Sequence, residues 1–280
     1  MGVNRRHFIL CAAALAFAPA AAIAAPFSST RFTVEVRGSG PDVILIPGLS
    51  AGRNTWMGMV RAVPGYRYHL VQVAGFAGDP ARGNARGPIL TSLVAELARY
   101  IEASGLRRPA LIGHSMGGTL AMMLAANRPR LVGKLMVVDM LPAPAGLFGQ
   151  TPDEASTIAR GIAGLTGTEG GRRLFSSLVN TFAPPGSSFR TSDPAMVGRT
   201  MNELAALDLS GRLPDIRAPL TIVYASPGGA GPATDRRFRT AYADARSPRF
   251  VRNDNSGHKI KFDQPARGAG ALGPQSSDPN

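Results

Sequence analysis

Gly113-His114-Ser115-Met116-Gly117-Gly118 is the stretch on which the reading of this chain turns. Ala110-Leu111-Ile112 before it is a short apolar run of strand type. Thr119 to Ala126 after it is rich in helix formers. Strand, Gly-x-Ser-x-Gly and helix together describe a sharp turn. Small residues on either side let strand and helix approach without a clash. Such a turn pushes the Ser115 hydroxyl into the open. It also sets the Met116 N–H at a helix N-terminus, where negative charge is stabilised.

Outward from the turn, β-type runs alternate with helical patterns. Phe32 to Arg37, Asp42 to Ile46, Tyr68 to Ala74, Leu135 to Val138, Leu220 to Tyr224 and Pro248 to Val251 read as strands. Pro88 to Ala103 has helical spacing, with Leu90, Leu93, Val94, Leu97 and Ile101 on one face. The alternation predicts an α/β fold, with a mostly parallel sheet and helices on both faces. From about Leu141 to Asp208 the strand pattern stops. Gly171 to Phe182 and Ala195 to Ala206 read as helices there, in a helical insertion placed to act as a lid. Its apolar residues Leu174, Phe175, Leu178 and Phe182 either face a substrate or form its own core.

The chain ends differ from this pattern. Asn4-Arg5-Arg6-His7-Phe8-Ile9-Leu10 opens an Ala-rich apolar stretch that closes at Ala22-Ile23-Ala24, a small-x-small cleavage pattern. The paired arginines resemble a twin-arginine signal. The apolar part falls short of the roughly 20 residues of a membrane span. The expected product is therefore exported, to the periplasm or beyond, without a stable span. The lone cysteine, Cys11, lies in the signal, so the mature chain has no thiol for disulfides, catalysis or metal. Gly268 to Asn280 is Gly/Pro/Ser-rich and reads as disordered, which would leave apolar sheet surface exposed where a terminal helix is missing. The expected organisation is residues 1–25 signal, 26–140 and 209–267 core, 141–208 helical cap insertion and 268–280 tail.

Composition narrows the partners. Of the 280 residues, 44% are hydrophobic and 18% charged, which suits a globular chain. The formal charge is +13, yet the arginines are scattered rather than clustered. No nucleic-acid-binding signature accompanies them, so nucleic acid is not expected as a partner. No Walker motif, His-Glu-x-x-His or other metal spacing is present.

The turn around Ser115, the loop Ile46-Pro47-Gly48-Leu49 and the segment Ser256-Gly257-His258 resemble the α/β-hydrolase fold superfamily. The resemblance runs from about Phe32 to Arg267. It implies a sheet of about eight strands, a helical cap, and a Ser–acid–His triad in that chain order. It implies oxyanion donors at the Leu49 and Met116 amides, although the family often has His-Gly where this chain has Pro47-Gly48. It further implies a small acyl substrate and no cofactor. Serine at the turn argues against the dehalogenases and epoxide hydrolases of this fold, which use aspartate there.

The base follows by elimination among four histidines. His7 is in the signal, His69 starts a strand and His114 sits inside the turn, pointing away. His258, in a loop after the last strand, is left to accept the Ser115 proton. The acid stays open. No carboxylate directly follows Leu220 to Tyr224, where the family usually has it. Asp139 follows Leu135 to Val138, and Asp235 opens a later helix; a Ser–His dyad is the third possibility. The expected activity is hydrolysis of a carboxylic ester or related acyl compound. Hydrolysis of another bond type (amide, thioester, lactone, carbon–carbon), perhydrolysis, or a degenerate binder of an apolar ligand are the alternatives.

Overall fold

The computed structural model describes residues 27–148, 152–182, 186–226, 228 and 230–254. The expected signal and tail lie outside them. Seven strands form one sheet among the described residues: β1 (Phe32–Arg37), β2 (Asp42–Ile46), β3 (Arg67–Val73), β4 (Ala110–His114), β5 (Lys134–Val138), β6 (Leu220–Ser226) and β7 (Arg249–Asp254). Their order is β1-β3-β2-β4-β5-β6-β7. Only β1 runs antiparallel, against β3; the other pairs are parallel.

Parallel strands buried on both faces need apolar residues at every position, and the inner strands have them. Ile44 and Ile46 of β2 face one apolar cluster, and Val43 and Leu45 face the other. β5 divides the same way, with Leu135 and Val137 on one side and Met136 and Val138 on the other. Helix α2 (Leu90–Ala103) and helix α3 (Met116–Asn127) bury their apolar residues in the first cluster. Leu90, Leu93, Val94, Leu97 and Ile101 of α2 are at most 4% exposed, each contributing on the order of 2 kcal/mol. Helix α1 (Met57–Ala62) serves the opposite face through Met59, next to Trp56. On that face Met136, Val138, Val223 and Ala225 are buried.

Between β5 and β6 the described chain is helical: α4 (Pro152–Thr166), α5 (Glu169–Phe182) and α6 (Pro194–Ala206), with short 3-10 turns. α7 (Gly231–Ala241) precedes β7. α6 starts where Pro194 presets the first turn and the Asp193 carboxylate accepts the Met196 N–H at 2.8 Å. α4 packs on α6, and Gly198 makes room: a Cβ there would lie 2.2 Å from Thr166 Oγ1. α6 is fastened to the core. The Glu203 carboxylate accepts the Ile89 and Leu90 N–H groups, both at 2.8 Å, at the start of α2. That helix has no side-chain cap of its own. The Arg199 guanidinium donates to the Asn84 carbonyl. Leu174 of α5 is 52% exposed, so it is not part of a packed helical interior. The side chains of Phe175, Leu178 and Phe182 lie outside the described set.

Candidate active site

Ser115 stands between β4 and α3 with φ +53° and ψ −124°. Few non-glycine residues adopt such a conformation, and the surroundings enforce it. Its N–H donates to the Val138 carbonyl at 2.9 Å, and its carbonyl accepts Gly118 N–H at 2.7 Å and Thr119 N–H at 3.2 Å. The flanking glycines are obligatory. A Cβ on Gly113 would sit 2.1 Å from the Gly117 carbonyl oxygen, and one on Gly117 would sit 2.2 Å from the Ile46 carbonyl oxygen. Ser115 is partly exposed while its neighbours on both sides are buried. Met116 begins α3, so its amide lies at the positive end of the helix dipole.

The loop after β2 comes to this serine. A Cβ on Gly48 would lie 3.2 Å from the Ser115 Cβ and 3.0 Å from His114 Nδ1. The His114 ring therefore packs against Gly48. Ala51 N–H closes a turn on the Gly48 carbonyl at 3.1 Å, and Ser50 is held at φ +59°. Leu49 lies inside that turn, one residue past the contact with the nucleophile. Ser50 is fully buried, and its hydroxyl has no hydrogen-bond partner.

Asp139 follows Val138, the residue whose carbonyl holds the Ser115 amide. It is buried, at φ +50°. Its N–H donates to the Val223 carbonyl at 2.7 Å, and its Oδ1 accepts the Ala225 N–H at 3.0 Å. A buried carboxylate requires such donors. The structure thus brings Asp139 to the same end of the sheet as Ser115, just past the adjacent strand β5. Asp235 sits on α7 with other commitments. Oδ1 accepts the Tyr224 hydroxyl at 2.6 Å, and Oδ2 accepts Arg252 Nη1 at 3.0 Å. The Tyr224 hydrogen bond, with Arg252 beside it, holds its carboxyl below the ordinary range. Burial, chiefly, pushes Tyr224 up to about 12.

His258 lies outside the described residues. β7 ends at Asp254 and runs parallel to β6, so the chain leaves the sheet at the end that carries Ser115 and Asp139. His69 belongs to the other end. Its Nε2 is 2.9 Å from Asp42 Oδ1 and its Nδ1 is 2.6 Å from the Tyr100 hydroxyl. A carboxylate only accepts, so Nε2 carries the proton and Nδ1 accepts from Tyr100.

The fold matches known proteins. The family model of the α/β hydrolase fold matches residues 41–161. The pimeloyl-[acyl-carrier protein] methyl ester esterase of Aromatoleum aromaticum is 26% identical over 241 residues, 78% of this chain and 91% of that protein. The N-formylmaleamate deformylase of Pseudomonas putida is 27% identical over 243 residues, 81% of this chain and 85% of that one. A solved thermophilic esterase from Thermogutta terrifontis superposes with a TM-score of 0.69 at 19% identity, covering 86% of this chain and 91% of that chain. These matches give the chain the α/β-hydrolase fold. It is an α/β-fold hydrolase.

Proposed function

We propose that the chain is a serine hydrolase that cleaves a carboxylic ester of a small acyl compound. The strained Ser115, partly exposed at the head of α3 with Gly48 against it, carries this reading. Ser115 Oγ attacks the ester carbonyl and passes its proton to His258. The Leu49 and Met116 N–H groups receive the charge that develops on the carbonyl oxygen. His258 returns the proton to the leaving alkoxide, and the acyl group stays on Ser115. Water then attacks the acyl-enzyme, with His258 as base, and frees the acid.

Asp139 is the acid assigned to this triad. It follows β5, the strand next to the nucleophile's β4, and the Ala225 N–H of β6 bonds its Oδ1, which supports a role in orienting the imidazole carried by the chain after β7. Three residues lie between Asp254 and His258, and the four steps from one to the other reach at most roughly 13 Å. Asp235, engaged by Tyr224 and Arg252, serves the packing of α7. The segment 141–208 is the cap over the site. The esterases among the relatives support ester cleavage. The deformylase supports, as a second reading, attack by the same serine on a formyl group. A panel of alkyl esters and N-formyl compounds, assayed with the wild type and the Ser115→Ala and His258→Ala variants, tests this. Ester turnover lost by on the order of a thousandfold or more in both variants is expected. Undiminished turnover in either variant excludes the mechanism.

Residues 1–25 are proposed as an export signal of the twin-arginine type, removed before the folded body. Support comes from Phe27, which lies under the Arg99 guanidinium at 4.5 Å and packs edge-on to Tyr100. No helix among the described residues is long and apolar enough to cross a membrane. Replacing Arg5 and Arg6 by lysine is expected to leave full-length precursor in the cytoplasm on fractionation. Unchanged processing would contradict the route.

A further inference from the structure

The loop that carries Leu49 is pinned at both ends. Its near end is Ile46–Gly48, packed against Gly117 and Ser115. Its far end is Arg53, where a 3-10 turn begins. The Arg53 N–H donates to Gln72 Oε1 at 3.0 Å. Gln72 lies in β3, between Val71 and Val73, both of which are buried. Its Nε2 donates to the Phe76 carbonyl at 2.9 Å and to the Val73 carbonyl at 3.2 Å. One amide group thus ties the loop after β2 to the loop after β3. Gly52 leaves space for it, since a Cβ there would come within 3.1 Å of Gln72 Oε1 and 3.0 Å of the Ala77 Cβ. The Arg53 side chain adds a second tie, bonding Thr33 Oγ1, and Thr33 stands opposite Gln72 in the β1–β3 ladder.

The loop after β3 is in turn held by the segment leading into α6. Asp193 N–H donates to the Gly75 carbonyl at 2.8 Å, and Gly78 N–H donates to the Thr191 carbonyl at 3.0 Å. Ser192 Oγ accepts the Ala77 N–H at 3.0 Å, donates to the Ser188 carbonyl at 2.8 Å and lies 3.4 Å from the Ser50 carbonyl.

We infer that Gln72 is a positioning residue of the reaction: its side-chain amide holds the loop of the Leu49 oxyanion donor in register with Ser115. This rests on the serine-hydrolase reading given above. The physical reason is tolerance. A donor to a developing oxyanion acts only within about 0.3 Å of its best distance, and removing one altogether lowers turnover on the order of a hundredfold to a thousandfold. Only three residues lie between Leu49 and Arg53, so a shift at the tie reaches the donor with little chain to absorb it.

The test uses the mature full-length chain with Gln72→Met and Gln72→Glu. Met keeps the length and loses all three hydrogen bonds. Glu keeps an acceptor for Arg53; when protonated it also restores one donor, and when ionised it turns a second acceptor toward the Phe76 and Val73 carbonyls. Turnover of p-nitrophenyl acetate, the rate of fluorophosphonate labelling and melting temperature are followed from pH 5.5 to 8. Gln72→Met is expected to lose on the order of tenfold or more in kcat and labelling rate, with KM within about threefold. Gln72→Glu, taken as a ratio to wild type, is expected to recover as pH falls, whereas the Met ratio stays flat. If the Met variant does not fold, the pH trend of the Glu ratio decides alone. Wild-type kcat and labelling in Gln72→Met, or a flat Glu ratio, overturns the assignment. A wild type that neither labels nor turns over overturns the serine-hydrolase reading, and this inference with it.

Discussion

At φ +53° and ψ −124°, Ser115 holds a conformation that costs about 1–3 kcal/mol in a residue with a Cβ. Gly113, Gly117 and the Val138 carbonyl compel it. Ser115→Gly is therefore expected to raise stability by about 1 kcal/mol in urea unfolding while abolishing turnover. A less stable variant would show that the turn is not strained. Asp139 and Asp235 separate on the same scale. Asp139→Asn is expected to lower kcat by on the order of a hundredfold to ten-thousandfold, because the base loses its orienting charge. Asp235→Asn is expected to leave kcat within about twofold, since its contacts are with Tyr224 and Arg252. The reverse pattern in ester kinetics would transfer the acid to Asp235. The serine and its glycines were legible in the sequence because local backbone geometry dictates them. The choice of acid was not, because it depends on β5 lying next to β4, a contact that the intervening residues do not encode locally.

At the scale of elements, apolar runs announced the strands, and their boundaries fell within a few residues. Tyr68 to Ala74 became Arg67–Val73, and Pro248 to Val251 became Arg249–Asp254. α3 begins earlier than Thr119, directly after Ser115, because the glycines that weaken its propensity are required by the turn. α4 packs on α6. Glu203 shows what a linear reading misses. It serves two amides more than a hundred residues away at the start of α2. Glu203→Ala is expected to cost about 2 kcal/mol, by leaving those N–H groups unpaired and freeing α6 from α2. Unaltered chemical denaturation would mean that water replaces the carboxylate at no cost.

For the whole molecule, the two ends of the sheet have different duties. The carboxyl end gathers Ser115, the Leu49 loop and Asp139, and the amino end closes a network of Arg67, Asp42, His69 and Tyr100. Arg67, paired through two bonds, and then His69 hold the Asp42 carboxyl below its ordinary value of 3.8. Such a group stabilises the fold above its unfolded-state value, and that contribution fades as pH falls through the lower folded-state value. Asp42→Asn is accordingly expected to flatten the loss of stability below about pH 4. The difference from wild type should shrink toward lower pH; a constant offset would show that the bonds do not depend on the charge.

The central claim concerns one hydroxyl. The most direct test is fluorophosphonate labelling of the mature protein, with the adduct located by mass spectrometry and Ser115→Ala as control. The account predicts one adduct per chain, on Ser115, and none in the control. Folded protein that takes up no label, or labels equally in the Ser115→Ala variant, would contradict it.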